Sequence, residues 1–292
     1  MDSPIAARTI DAAVRERVRT RAAEVHRDSG VGPLGEATWR DLEAPGPDSF
    51  VVVDGDTVLH AMRNRARWTV GVIPGGSVGP AIGATLAAIE ERGDGAVTIW
   101  LTGADRPDRA EVVRAIHDAG LVRSRCLLRL EVGLPIEPRP LPPGVTIDAF
   151  DADSDAAAWL HVNNRAFVEH PEQGGWDEET FAARRAEDWF RPEDLRIARL
   201  DGRIVASCWT KRTDDPGRPP IGEIYVVGVD PSAQGIGLGP AIVAEGLDHL
   251  AHRCDAVIGM LYVDAVNAAA VGLYDRLGFR AVREDHAFEV AR

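Results

Sequence analysis

The chain has 292 residues, 45% of them apolar, and a formal charge of −13. That length suits one large domain or two ordinary ones, and so acidic a balance excludes nucleic acid and an anionic membrane surface as partners, because both demand a basic face. No run approaches the roughly 18 uninterrupted apolar residues of a membrane span, the N-terminal stretch has no signal-peptide core, and Cys126, Cys208 and Cys254 show neither CxxC nor metal-ligand spacing, so a cytoplasmic chain with reduced, buried thiols and no metal is expected.

Residues 10–27 carry Ile10, Val14, Val18 and Val25 at helical spacing. A short helix is expected after Gly35, with Glu36 in its first turn and Trp39 and Leu42 facing inward. Residues 50–53 and 57–62 flank Asp54-Gly55-Asp56, a hairpin signal. A strand at 68–73 ends at Pro74, and the Gly-rich segment 75–83 leads into a helix to about residue 91. A strand at 96–101, a helix at 107–119 and a strand at 121–130 follow. Five prolines between Pro135 and Pro143 exclude a helix or a central strand, which makes 134–144 a linker.

Beyond the linker, 145–150 reads as a strand and 151–167 as mostly helix, with Asp153 or Ser154 as its N-cap. His170-Pro171-Glu172-Gln173-Gly174-Gly175-Trp176 is too polar and Gly-rich for core yet carries a large aromatic, as functional loops do. Next come a helix at 178–187, Trp189-Phe190, and a hairpin of 195–200 and 203–211 around Asp201-Gly202. The strand 224–229, a helix opened by Pro240, a strand at 256–263, a helix at 268–277 and a last strand at 279–290 complete the chain. The element order of the first half recurs in the second. The sequence therefore predicts an internal duplication in an α/β fold with mixed sheets: 1–133, the linker, and 145–292.

The stretch 222–252 carries the chemistry. A β-branched strand stops at Asp230-Pro231, and Gln234-Gly235-Ile236-Gly237-Leu238-Gly239 leads into a helix. A strand, a side-chain-poor loop and a helix N-terminus together make a phosphate cradle, in which unpaired N–H groups and the helix dipole attract pyrophosphate. The glycine spacing is not GxGxxG, and no Gly-Lys-Ser/Thr occurs. In the first half the loop lacks Gln-x-x-Gly-x-Gly, its strand has no acidic residue matching Glu223, and no tyrosine matches Tyr274. That half reads as a scaffold that lost its chemistry, or as one still binding a nucleotide or shaping a substrate cleft.

Strand, Asp-Pro and Gln-x-x-Gly-x-Gly, followed by Asn267, Ala270, Tyr274, Gly278 and Phe279 in an Asn-x-x-Ala-x-x-x-Tyr-x-x-x-Gly-Phe pattern, resemble the GNAT acetyltransferases. Asn163-Asn164-x-Ala166-Phe167, the loop at 170–176, Trp189-Phe190, Trp209-Thr210-Lys211 and the strand from Gly222 to Pro231 resemble, within that superfamily, the mycothiol synthase family. These are actinobacterial tandem GNAT enzymes that acetylate the cysteinyl amine of cysteinyl-glucosaminyl-inositol. In the first half the resemblance rests on Gly32-Pro33-Leu34-Gly35-Glu36 and the element order.

The resemblance implies substrate contacts at Glu36, Glu172, Lys211, Glu223 and Tyr262. It places acetyl-CoA contacts at Val227, Gly228 and Val229, at Gln234, Gly235, Ile236, Gly237, Leu238, Gly239 and Pro240, and at Asn267, Ala268, Ala269, Ala270, Val271 and Gly272. Its base is Glu223 and its acid Tyr274. It implies acetyl-CoA as co-substrate, a small-molecule amine as the other partner, no metal, and a monomer.

Each residue also has a plainer reading. Glu223 would be a solvated strand-end carboxylate, Lys211 a solvated strand end, Glu36 a first-turn helix carboxylate, Tyr262 a packing residue, Asn267 a plain N-cap and Tyr274 a core tyrosine. Val227 and Val229 would offer N–H groups to an oxyanion if Gly228 marks a bulge. Gly235-Ile236 stands where the family carries arginine, and Val266 replaces a polar residue. A GNAT enzyme for another amine, or a non-catalytic acyl-CoA-binding module, would share the same cradle.

Overall fold

A computed structural model of the chain describes residues 5–64, 66–93, 95–168, 173–213 and 219–290. In order, its elements are β1 (Ala7–Arg8), α1 (Ala12–Ser29), α2 (Glu36–Glu43), β2 (Phe50–Asp54), β3 (Thr57–Asn64), β4 (Arg67–Ile73), α3 (Val78–Glu91), β5 (Ala96–Leu101), α4 (Ala110–Asp118) and β6 (Leu121–Gly133). There follow β7 (Val145–Ala149), α5 (Ala156–Ala166), α6 (Glu178–Arg185), β8 (Leu195–Leu200), β9 (Arg203–Thr213), β10 (Ile221–Val229), α7 (Leu238–Arg253), β11 (Ile258–Asp264), α8 (Ala268–Arg276) and β12 (Arg280–Val290).

The chain forms two compact units. The first runs to Leu128 and takes in Asp264–Val266 and the stretch from Arg283; the second comprises Arg129–Val263 and Asn267–Val282. The division thus falls within β6 and within β12, whose part from Arg283 onward counts with the first unit. Its pairing explains why: β12 runs antiparallel to β5, with His286 opposite Leu101 and Glu289 opposite Thr98.

In the first unit β1, β2, β3 and β4 pair antiparallel in sequence, and β4 pairs parallel with β5. The expected hairpin closes over Asp54 and Thr57, with Gly55 at φ 56°. β2 is apolar on both sides because both faces of the sheet are covered. Phe50 and Val52 join a core with α3, α4 and Phe288, while Val51 and Val53 join one with α1 and Leu42. In the second unit β11 pairs parallel with β10, and β9, β8 and β7 follow antiparallel.

One face of the second unit's sheet is an aromatic core of Trp159, Trp176, Phe181 and Trp209 beneath α5 and α6. Trp159 stacks on Phe181 at 4.2 Å and 19°. Each buried indole contributes about 4–6 kcal/mol of burial as an upper figure. The other face receives α7, close enough that only glycine fits at 246, where a Cβ would lie 2.4 Å from Cys208 Sγ.

Several boundaries and burials differ from the sequence reading. α7 begins at Leu238, with Pro240 inside its first turn, because left-handed Gly237 already turns the chain into the helix. α5 is capped at Asp155, not Asp153 or Ser154; that buried carboxylate accepts from Arg199 at 2.7 Å and from the Asp151 N–H at 3.0 Å. The helix expected at 107–119 starts as a tight turn over Pro107–Arg109. The three cysteines are free, but only Cys208 is buried, Cys126 and Cys254 being half-buried. Among the described residues no helix is long and apolar enough to cross a membrane.

Gly246→Ala drives a methyl into Cys208 and, at 3.3 Å, Thr210, and is expected to lower stability by about 1–3 kcal/mol through overpacking. Urea unfolding followed by tryptophan fluorescence measures it, and an unchanged midpoint would refute this close packing of α7 on β9.

Candidate active site

The site begins where β10 leaves β11. β10 pairs with β9 along most of its length but with β11 only from Ile221 to Glu223, against Ile258 to Met260. Beyond Glu223 the edge that faced β11 has no strand partner among the described residues. Its backbone polar groups are therefore left to seek other partners.

The expected bulge at Gly228 is not there. The register slips between Ile224 and Val226, at Tyr225, while Gly228 pairs regularly with Ser207. The cause is packing: Tyr225 and Val226 both turn toward the aromatic core, as the two residues of a bulge do. Gly228 answers a different demand, the close approach of α5, since a Cβ there would lie 3.0 Å from Ala166 Cβ and 3.1 Å from Phe167 Cε2.

Strand alternation puts Glu223, Tyr225, Lys211 and Trp209 on one face, and the slip adds Val226, opposite Trp209. Lys211 stands opposite Glu223 in the ladder, with Nζ 3.4 Å from Glu223 Oε2. The ammonium also lies 4.9 Å from the Trp189 ring centre and 4.8 Å from that of Tyr225, within cation–π range. Thr213 Oγ1 donates to the same Glu223 oxygen at 3.4 Å. Lys211 is 9% exposed and Glu223 8%, which excludes solvated strand ends. Trp189 and Tyr225 are site residues that the sequence reading did not assign. The pairing of aromatics with the chain's sole lysine was the available signal.

Tyr262 lies two residues past Met260 on β11 and is 37% exposed. Glu172 lies outside the described residues. Gln173 and Trp176 of its loop are tied to α5: Asn163 Nδ2 donates to the Gln173 carbonyl at 3.0 Å, Asn164 Nδ2 donates to the Trp176 carbonyl at 2.7 Å, and the Trp176 N–H donates back to Asn164 Oδ1 at 3.0 Å. Trp176, expected outside the core, is buried in it. Glu36 belongs to the first unit, at the first residue of α2, where it pairs with Arg40 at 3.1 Å.

The loop after β10 is held open by its own backbone. Gly235 and Gly237 sit at φ 82° and 87°, the left-handed region that favours glycine. Gln234, Gly235, Ile236 and Gly237 are all exposed, and α7 starts without a side-chain cap. Its first N–H groups and the positive end of its dipole thus face solvent, an anion-binding arrangement.

Asp230 does more than stop the strand. Arg165 of α5 donates to its two carboxylate oxygens at 2.7 and 3.2 Å, and Ser232 donates through N–H and hydroxyl at 2.8 and 2.6 Å. The Arg165 hydrogen bond, reinforced by Ser232, holds this carboxyl well below the usual range against the opposing effect of burial. Arg165 too was missed in the sequence.

Asn267 is the N-cap of α8, accepting from the Ala270 N–H at 3.1 Å. Residues Ala268 to Gly272 form the first turns of that helix, and Tyr274 lies buried in it, packed on Phe279 with ring centres 5.6 Å apart. Burial, then the neighbouring Cys208, pushes the phenol far up from its ordinary value. It therefore remains a proton donor. Glu223 and Lys211 are brought into contact, while Tyr274 on α8 neighbours Cys208, which pairs with Val227 of β10.

Residues 157–279 match the model of the acetyltransferase (GNAT) family. The structure is similar over 100% of its length to a GCN5-related N-acetyltransferase from Sphaerobacter thermophilus, covering 98% of that chain with a TM-score of 0.75 at 21% identity. It is also similar to a tandem GNAT protein from the clavulanic acid biosynthesis pathway, with a TM-score of 0.69 at 15% identity over 99% of this chain and 98% of that one. The fold is that of a tandem GNAT protein. The sequence is 39% identical to a mycothiol acetyltransferase of Thermomonospora curvata over 94% of this chain and 92% of that one. The chain belongs to the mycothiol acetyltransferase family.

A carboxyl whose folded pKa is depressed stabilises the protein above its unfolded value, about 3.9, and loses that stabilisation as pH falls through the lower folded value. Arg165→Ala removes the main cause of the Asp230 depression. It is expected to move the acid-unfolding midpoint to higher pH, read by circular dichroism; an unmoved midpoint would show the clamp contributes nothing.

Proposed function

We propose that this chain transfers the acetyl group of acetyl-CoA to the cysteinyl α-amine of cysteinyl-glucosaminyl-inositol, the last step of mycothiol formation, at a single site in the second half. The observation that carries the reading is the buried Lys211–Glu223 pair at the point where β10 parts from β11. Family membership supplies the acceptor.

In this reading the pyrophosphate lies on the Gln234–Gly239 loop and the N-terminus of α7, and the pantetheine follows the freed edge of β10 toward α8. The acceptor's ammonium, whose ordinary pKa is near 8, must lose its proton to attack. Glu223 takes that proton directly or through water. The amine nitrogen bonds to the thioester carbonyl carbon, and the developing oxyanion is met by backbone N–H groups of Val227 or Val229, freed by the parting of the strands rather than by a bulge. The bonded nitrogen sheds its second proton to water, collapse breaks the carbon–sulfur bond, Tyr274 gives its phenolic proton to the departing thiolate, and water returns a proton to the phenolate. Lys211, steadied by Trp189 and Tyr225, presents its ammonium to an oxygen of the acceptor, and Tyr262, with Glu172 by the family resemblance, supplies further acceptor contacts.

Geometry favours one cradle over two. None of Gly75, Gly76, Gly79 and Gly83 adopts a positive φ. At Gly75 a Cβ would lie 2.3 Å from the backbone of Asp56 and of Thr57, and Arg21 Nη2 donates to the Pro74 carbonyl at 3.0 Å. The first loop is thus occupied by its own protein. β4 also stays paired with β5 over Arg67 to Gly71, most of its length.

Incubating the protein with acetyl-CoA and cysteinyl-glucosaminyl-inositol is expected to release CoA and form the N-acetyl product; turnover only with other amines would redirect the assignment. Glu223→Gln should lower kcat by roughly 10²–10⁴, and Tyr274→Phe should slow the reaction with little change in acetyl-CoA affinity. Calorimetric titration with acetyl-CoA is expected to saturate at one equivalent per chain. Two equivalents would place a working cradle in the first half.

A further inference from the structure

The second unit contains a cavity of about 760 Å³ lined in part by Asp194, Arg196, Glu245, His249, His252 and Cys254. His249 lies near the C-terminal end of α7, roughly 16 Å along the axis from Leu238 at 1.5 Å per residue, so the cavity is distinct from the Gly-rich loop. Three different donors converge in it. Asp194 Oδ1, His249 Nε2 and Cys254 Sγ lie within 4.8 Å of one another, and Asp194 and His249 are buried. Asp194 Oδ1 is 2.7 Å from His249 Nε2 and 3.9 Å from Cys254 Sγ.

Three segments hold these donors. Asp194 ends the tight turn Pro192–Asp194 before β8, and its carbonyl accepts from Thr210 Oγ1 at 2.9 Å. His249 is fixed on α7. Cys254 follows that helix, its N–H bonded to the Leu250 carbonyl. The set is not used by acetyl transfer, and the sequence hid it because Asp194 and His249 are 55 positions apart.

We propose that Asp194, His249 and Cys254 bind a zinc-like divalent cation. The donors decide the class of ion: imidazole nitrogen and thiolate with a single carboxylate suit Zn²⁺ or Co²⁺, whereas Mg²⁺ and Ca²⁺ require oxygen ligands. Bonds of about 2.0–2.3 Å at tetrahedral angles separate ligand atoms by roughly 3.3–3.8 Å. The observed 2.7 and 3.9 Å bracket that range. The cation takes the place of the hydrogen between Asp194 and His249, which passes to His249 Nδ1, and displaces the thiol proton of Cys254 to solvent, and the fourth position is left to water from the cavity. Binding fastens the end of α7 to the start of β8.

The test uses the full chain, stripped with chelator and titrated with Zn²⁺ or Co²⁺ alone. One equivalent should bind, Co²⁺ should give a thiolate-to-metal charge-transfer band, and Zn²⁺ should raise the thermal midpoint. Cys254→Ser should abolish the band and weaken binding roughly tenfold or more, with acetyl transfer unchanged. Cys126→Ser, which alters the Cys126, Glu284 and His286 group of the first unit, should leave the band intact. Absence of saturable binding, or binding insensitive to Cys254→Ser, overturns the site and leaves Asp194–His249 as a hydrogen-bonded pair closing the helix end.

Discussion

The second unit depends on one backbone event, the loss of ladder pairing between β10 and β11 after Glu223. Parallel strands that part leave N–H and C=O groups without their natural partners, a cost that only water or a ligand offsets. β9 keeps the other edge of β10 fixed, so the opening is held by a sheet rather than a loop. The bulge at Tyr225 belongs to the same solution. It resets the alternation so that Tyr225 and Val226 both reach the aromatic core, while Gly228 presents no side chain to α5.

The two halves show how a repeated plan diverges through backbone conformation. In the second, left-handed glycines at 235 and 237 expose a helix N-terminus. In the first, Gly75 is pressed against the backbone of the neighbouring hairpin turn, and β4 and β5 part only at their ends. Glycine content alone does not distinguish these loops. The sign of φ and what fills the space above them do.

Local features were legible in the sequence because they are set by neighbouring residues. The hairpin at Asp54-Gly55-Asp56, the N-cap at Asn267, the glycine loop and the strand bearing Glu223 all follow from turn chemistry and periodicity over a few positions. Features set by distant residues were not. The Arg165–Asp230 clamp joins α5 to the end of β10, and Tyr225 bulges because Trp209, Trp189 and Lys211 arrive from elsewhere. Trp176 looked like a loop aromatic because its polar neighbours hid the hydrogen bonds by which α5 draws it inward. Lys211, the only lysine in the chain, is buried against Glu223, a pairing that no local pattern shows.

β12 carries a consequence for how the chain comes into being. Phe288 belongs to the first unit's core, and His286 to Glu289 supply the antiparallel neighbour of β5. During synthesis the N-terminal half emerges early, yet its sheet lacks this strand until His286 to Glu289 have been made. Until then β5 presents an unsatisfied edge, open to wrong partners. The duplicated halves are therefore no longer separable modules: a chain truncated at the proline-rich stretch is an unfinished first unit, and its completion waits on β12.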